Sequence, residues 1–190
     1  LLVPDECRPV AVSPAMNHAA FSADCLATAG ALSASSARRA GLWFHDAAEL
    51  GIALLACWRA GVTAVLPGTA QPHTLATIDA EVDLWLSDEP LSLPRERCHA
   101  LSDLSGHAPL PAATLDPDIG GVELCTSGSS GHPKRIIKRW TQLCHEIQAL
   151  ENQWNWSASH ACVMGSVGTQ HMYGLPFRVL WPLCAGRSIE

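Results

Sequence analysis

The 190-residue chain is long enough for one domain with a sizeable core. Apolar residues make up 48% of it and charged residues 16%, which excludes a disordered chain. A formal net charge of −6 argues against nucleic-acid binding, which would need a basic face.

The chain opens on Leu1-Leu-Val3 and runs straight into Pro4-Asp5-Glu6, with neither a basic leader nor an apolar secretory stretch. A first residue that is Leu rather than Met points to a processed product or an excised piece. Leu26, Ala29 and Leu32 recur at helical spacing, predicting a helix over 22–36 with Ser22 or Asp24 as its cap. Residues 41–45 read as a short strand. Asp46 then caps a helix whose buried side is Leu50, Leu54, Cys57 and Trp58, and Gly61 ends it. An apolar run at 62–66 has strand length. A helix through Leu75, Ile78 and Val82 leads to a further strand at 83–87. Strands alternating with helices predict an α/β fold with a mostly parallel sheet flanked by helices. Continuous apolar strands suit a sheet covered on both faces.

Residues 88–118 break that rhythm. Asp88, Pro90, Pro94, Pro109, Pro111 and Pro117 predict a loop-rich connection, with one short strand near 99–101. Order resumes with a strand at 121–125. The basic run from Lys134 is open between a basic helix face and a strand by pattern alone, and β-branched Ile136-Ile137 favours a strand over 135–139. A helix over 141–154 carries Leu143, Ile147 and Leu150 on one side. A strand at 161–164, a last helix over 173–184 ended by Gly186, and the start of another strand at 188–190 complete the reading. Met172 and Trp181 read as core.

The longest charge-free run, 152–177, is interrupted by Ser, Gly, His and Pro, so it is not read as a membrane span. Eight cysteines include no C-x-x-C clip. Cys57, Cys125 and Cys144 have apolar sequence neighbours, where a free thiol behaves as a small hydrophobe. With no export signal, a reduced cytoplasmic location is expected. Nine scattered histidines form no ligand-spaced pair, and no metal site is expected from this chain.

Chemistry concentrates at Thr126-Ser-Gly-Ser-Ser-Gly-His-Pro-Lys134. Gly128 and Gly131 permit close backbone approach, so successive N–H groups can curl around an anion. The hydroxyls of Thr126, Ser127, Ser129 and Ser130 add rotatable donors, and Lys134 adds a mobile cation. A nucleotide polyphosphate is the simplest ligand for such a loop. It is not a Walker A loop, because His132 and Pro133 separate Gly131 from Lys134. It lacks the third glycine of the dinucleotide fingerprint and the G-x-S-x-G elbow of hydrolases. Lys134, Arg135, Lys138 and Arg139 are expected to raise the positive potential near the phosphates.

The nonapeptide resembles the signature loop of the acyl-adenylating superfamily, which includes acyl-CoA synthetases, aryl-CoA ligases and non-ribosomal adenylation domains. Two further stretches resemble that superfamily in the same order. Ala53-Leu-Leu-Ala-Cys-Trp-Arg-Ala-Gly61-Val-Thr-Ala-Val-Leu-Pro67 is similar to its A-x-W-x-A-G-x-x-x-x-P helix and strand, and Gln170-His-Met-Tyr-Gly-Leu175 to the segment beside its acyl pocket. A finer similarity, at Glu123-Leu-Cys-Thr126, Lys138-Arg-Trp140 and 170–174, is to members linked with aryl-polyene and xanthomonadin-type pigments.

The resemblance implies an ATP- and Mg²⁺-dependent ligase that activates an acyl or aryl carboxylic acid as acyl-AMP and passes it to CoA or a carrier-protein thiol. It implies that Thr126, Ser127, Gly128, Ser129, Ser130, Gly131 and Lys134 hold the β- and γ-phosphates. It places His171 at the carboxylate end of the acid pocket, as the catalytic candidate, with Tyr173 and Gly174 shaping the wall. Residues 1–190 then correspond to a partial N-terminal adenylation domain, because the superfamily's Tyr-Gly-x-Thr-Glu, Thr-Gly-Asp and C-terminal lysine motifs are missing. Such a piece is expected to be inactive alone and to self-associate through apolar surface exposed after Ile189. Arg135 and Trp140 stand where many members have Gly and His. Two rival readings are a non-catalytic nucleotide- or anion-binding module that shares the loop, and an α/β serine hydrolase acting through Ser129 or Ser130.

Overall fold

The structure, a computed structural model, describes residues 6–104, 106–116, 121–126, 134–158 and 161–190. A two-stranded antiparallel ladder, β1 (Pro9–Ala11) and β2 (Met16–Asn17), precedes helix α1 (His18–Ser35). Helix α1 starts earlier than the sequence suggests because Asn17, not Ser22 or Asp24, is its cap: the Asn17 Oδ1 accepts from Ala20 N at 2.9 Å. Strand β3 (Arg39–Trp43), helix α2 (Ala47–Ala60), strand β4 (Thr63–Leu66), helix α3 (Pro72–Asp79) and strand β5 (Leu84–Ser87) then alternate as expected. Helix α2 has both ends fixed locally. Asp46 Oδ1 accepts from Ala48 N and Glu49 N, and Gly61 takes the left-handed conformation (φ 72°) that favours glycine.

The loop-rich stretch contains strand β6 (Cys98–His99) and a 3₁₀ turn at Leu101–Leu104, so the short strand lies slightly upstream of 99–101. Strand β7 (Gly121–Thr126) and strand β8 (Lys134–Arg139) lead into helix α4 (Trp140–Trp154). The last helix is not continuous. A π-helical stretch, Leu175–Leu180, precedes helix α5 (Trp181–Ala185). Pro176 and Pro182 lie within these turns, where each withholds an N–H from a regular helical ladder. The strand expected at 161–164 shrinks to a bridge at Val163. Ile189 makes parallel bridges to both Ala11 and Val163. These bridges bury Ile189.

The main sheet has the order β6-β5-β3-β4-β7-β8, parallel except for β8, which runs antiparallel to β7. On one face, Ala40, Leu42, Phe44, Ala64, Leu66, Leu86, Val122 and Leu124 pack in a core with α2 residues Leu50, Leu54 and Trp58 and with Leu32, Leu143 and Trp181. On the other, Val65, Trp85 and Cys125 pack with Leu75 and Ile78 of α3. Each fully buried Leu or Ile contributes about 1.5–3 kcal/mol. Trp181 stacks on Trp156 with planes 8° apart and centroids 3.7 Å apart, and Glu151 Oε2 accepts from its indole N–H at 2.7 Å. Met172, by contrast, is exposed and not core.

Candidate functional site

Strand β3 is followed by α2 on one face of the sheet, and its neighbour β4 by α3 on the other. Their connections therefore diverge outside the carboxyl ends of the two strands. In open α/β sheets that is where ligands bind.

Strand β7 lies next to β4 and ends at the same edge. It pairs with β8 from Gly121 opposite Arg139 to Thr126 opposite Lys134. Thr126 Oγ1 donates to the Lys134 carbonyl at 3.2 Å, closing the ladder at the point where the nonapeptide begins and ends. Thr126 is partly exposed, and Lys134 is exposed with no ion pair among the described residues. Ser127, Gly128, Ser129, Ser130 and Gly131 lie outside the described residues. The two ends of the candidate phosphate loop thus sit at the carboxyl edge of the sheet.

The basic run around Lys134 does not act as one patch. Strand alternation sends its side chains to opposite faces. Arg135 forms a two-pronged ion pair with Glu81, and its Nη1 lies 3.8 Å from Glu123. Lys138 Nζ meets Glu146 of α4 at 3.0 Å. Arg139 N donates to Gln142 Oε1 at 2.9 Å as α4 begins. Arg135 and Lys138 are thus neutralised by carboxylates, while Lys134 and Arg139 have no ion pair among the described residues.

A further pair braces β7 from below. Arg39 of β3 reaches over β4 and donates through Nη1 and Nη2 to the two carboxylate oxygens of Glu123, each at 2.8 Å. Arg39 Nε also donates to the Glu81 carbonyl at 2.9 Å. The hydrogen bonds from Arg39 hold the Glu123 carboxyl below the usual carboxylate range, against the opposing pull of burial. Arg39, Glu81, Glu123 and Arg135 form one charged network across the sheet.

Residues 168–174 cover the carboxyl end of β3. Thr169 Oγ1 and Gln170 Nε2, both buried, donate to the Phe44 carbonyl. His171 N donates to Gly168 O at 3.0 Å. Its ring is exposed, with Nδ1 accepting from Tyr173 N at 3.3 Å and the Tyr173 ring stacked at 5.6 Å. Gly174 is buried, and a Cβ there would run into the Gly168 carbonyl oxygen, so the backbone approach itself excludes a side chain. His171, Tyr173 and Gly174 are thus brought together at the edge that also carries Thr126 and Lys134.

Sequence reasoning missed the acidic end of β5. Asp88 Oδ2 accepts from His45 N at 2.6 Å and Asp46 N at 2.9 Å. Glu89 Oε1 accepts from Trp43 Nε1 at 2.7 Å and lies 3.1 Å from His45 Nε2. These hydrogen bonds, from Trp43 first and then His45, lower the Glu89 pKa. Asp88 and Glu89 were read only as part of a loop, although two consecutive acids directly after a strand are placed to bind N–H groups on the neighbouring strand. Among the described residues no group of three His, Cys, Asp or Glu side chains is arranged to hold a metal, and no helix is long and apolar enough to cross a membrane.

No family profile matches the chain. Among curated proteins, a CoA ligase from Gibberella moniliformis is 32% identical over 75 residues, which is 40% of this chain and 12% of that protein. Among solved structures, a malonyl-CoA ligase with methylmalonyl-CoA and AMP bound superposes with a TM-score of 0.76 at 26% identity, over 97% of this chain and 41% of its own. The O-succinylbenzoate coenzyme A synthetase of Bacillus subtilis, in complex with ATP and magnesium ion, superposes with a TM-score of 0.79 at 18% identity, over 96% of this chain and 41% of its own. The chain thus spans less than half the length of these solved relatives. Its structural neighbours are AMP-forming CoA ligases, and its α/β, mostly parallel architecture matches the N-terminal domain of acyl-adenylating enzymes. The resemblance read from the three sequence motifs holds.

Proposed function

We propose that the chain is part of the N-terminal adenylation domain of an ATP-dependent acid–thiol ligase. In this reading a carboxylate oxygen attacks the α-phosphorus of ATP, the bond to pyrophosphate breaks, and acyl-AMP forms for transfer to CoA or a carrier-protein thiol. The observation that carries the proposal is the β7–β8 hairpin. Its closing pair, Thr126 and Lys134, brackets the hydroxyl-and-glycine motif at the edge where His171 and Tyr173 are exposed.

Thr126, Ser127, Gly128, Ser129, Ser130, Gly131 and Lys134 are assigned to the β- and γ-phosphates, neutralising charge on the leaving group. One well-placed donor to such charge is worth about 3 kcal/mol, roughly a hundredfold in rate. His171 is assigned to the substrate carboxylate, with Tyr173 and Gly174 at the pocket wall. Mg²⁺ fits as an ion carried by the phosphates rather than by a protein cage, since it keeps several waters and needs few carboxylates. The acid is an acyl or aryl carboxylate, and the location proposed is the cytoplasm.

Calorimetry with Mg²⁺-ATP tests the assignment. ATP is expected to bind more tightly than AMP, and Lys134→Ala to weaken ATP about tenfold while leaving AMP nearly unchanged. Equal affinity for ATP and AMP, or no effect of Lys134→Ala, refutes a grip on the polyphosphate. The chain alone is expected to show no acid-dependent pyrophosphate–ATP exchange. A positive exchange signal overturns that expectation while supporting the reaction assigned.

A further inference from the structure

A cavity of about 270 Å³ is lined by α1, α2, α5 and Leu180, by Arg8 and Val10, by Ala112, Ala113 and Leu115, and by Trp140. Among the described residues, its wall includes neither Thr126 nor Lys134 nor any of 168–174. Phe21, Leu55, Leu180 and Leu183 supply much of an apolar wall.

The polar part of that wall is one-sided. Arg8, Arg59 and His18 line the cavity, and among the described residues no aspartate or glutamate does. In a chain with 18 acidic and 12 Lys and Arg residues, this is a local reversal of charge. Arg59 is held in place by Pro111, whose carbonyl accepts from Nε at 3.2 Å and Nη2 at 2.7 Å. Arg8 differs: its Nη1 is buried and has no hydrogen-bond partner among the described residues. Buried guanidinium nitrogens are ordinarily paired, so an acceptor is missing beside this cavity.

We infer that the cavity is a binding site for a small amphiphilic carboxylate, whose apolar body lies against Phe21, Leu55, Leu180 and Leu183 and whose carboxylate supplies the acceptor for Arg8. A planar guanidinium matches a carboxylate with two parallel hydrogen bonds. The volume accommodates an eight-carbon acid. The site needs no nucleotide, and its test is independent of the ligase reading.

The probe is octanoate, titrated into the chain without ATP and followed by calorimetry and backbone NMR, with octan-1-ol as the uncharged control. Octanoate is expected to bind about 10- to 100-fold more tightly than octan-1-ol, as a charge-assisted pair with Arg8 requires. Arg8→Gln should remove that advantage and leave octan-1-ol binding unchanged. Ala113→Trp, which fills the cavity from its loop side, should abolish both. If Arg8→Gln does not fold, Arg8→Lys and Ala113→Trp decide the matter, with circular dichroism confirming their fold. Equal binding of octanoate and octan-1-ol overturns the inference. So does no octanoate binding in the millimolar range, an advantage over octan-1-ol that survives Arg8→Gln, or octanoate binding that survives the folded Ala113→Trp variant. Shift changes confined to Thr126, Lys134 and 170–174 also overturn it.

Discussion

Replacing Glu123 by Gln removes one charge from the sheet and leaves its shape almost intact. Glu123 is 8% exposed, and both its oxygens accept from Arg39 at 2.8 Å. Gln keeps one acceptor oxygen, so one charge-assisted bond and the ionic attraction are lost. Hydrogen bonds to charged groups contribute about 1.5–3 kcal/mol; the Arg39 side chain is 30% exposed, so solvent screening favours the lower half, about 2 kcal/mol. For a chain of this size that corresponds to a fall in melting temperature of about 4–8 °C. The hydrogen bonds from Arg39 hold the folded pKa of Glu123 below its ordinary 4.5. A carboxyl depressed in this way adds stability above its unfolded pKa and loses it as pH falls through the folded one. The gap between wild type and Glu123→Gln, measured by urea unfolding, should be full at pH 7 and shrink steadily below about 4.5. A gap under about 0.5 kcal/mol at pH 7, or one that does not shrink on acidification, refutes the reasoning. A double-mutant cycle with Arg39→Met should return a coupling of about 1–2 kcal/mol.

Gly174→Ala drives a methyl into the Gly168 carbonyl and should cost about 2 kcal/mol or more in chemical denaturation. Asp46→Ala strips the N-cap from α2 and should cost about 1 kcal/mol, visible in the same assay. Thr169→Val combined with Gln170→Ala leaves the Phe44 carbonyl without either side-chain donor. A loss of about 1–3 kcal/mol is expected, with faster hydrogen exchange at His171 N as the local readout.

Helix α2 was legible to within a residue because Asp46, the apolar period and Gly61 are all local signals that agree. The nonapeptide was legible as chemistry before any fold was known, since its residue types admit few ligands. Strand β8 was ambiguous because its basic residues suit either a helix face or an alternating strand, and only pairing with β7 decides. The bridges of Ile189 to Ala11 and Val163 connect residues far apart in sequence and leave no local pattern. The same holds for Gln170 on the Phe44 carbonyl, for Asp88 on His45, and for the network of Arg39, Glu81, Glu123 and Arg135. Each depends on strand order, which alternating hydrophobicity does not specify. Helix α1 was misjudged at its start because Asn17 precedes residues with no strong period of their own.

Strand β8 ends the six-stranded sheet, and four of its six residues are Lys or Arg. A terminal strand offers unpaired backbone groups to any stray extended segment. Here an incoming strand must set its own side chains beside the exposed Lys134 and Arg139, and an antiparallel second copy of β8 would bring the one against the other. Removing those cations while preserving the hairpin would turn a guarded border into a template for fibrillar stacking.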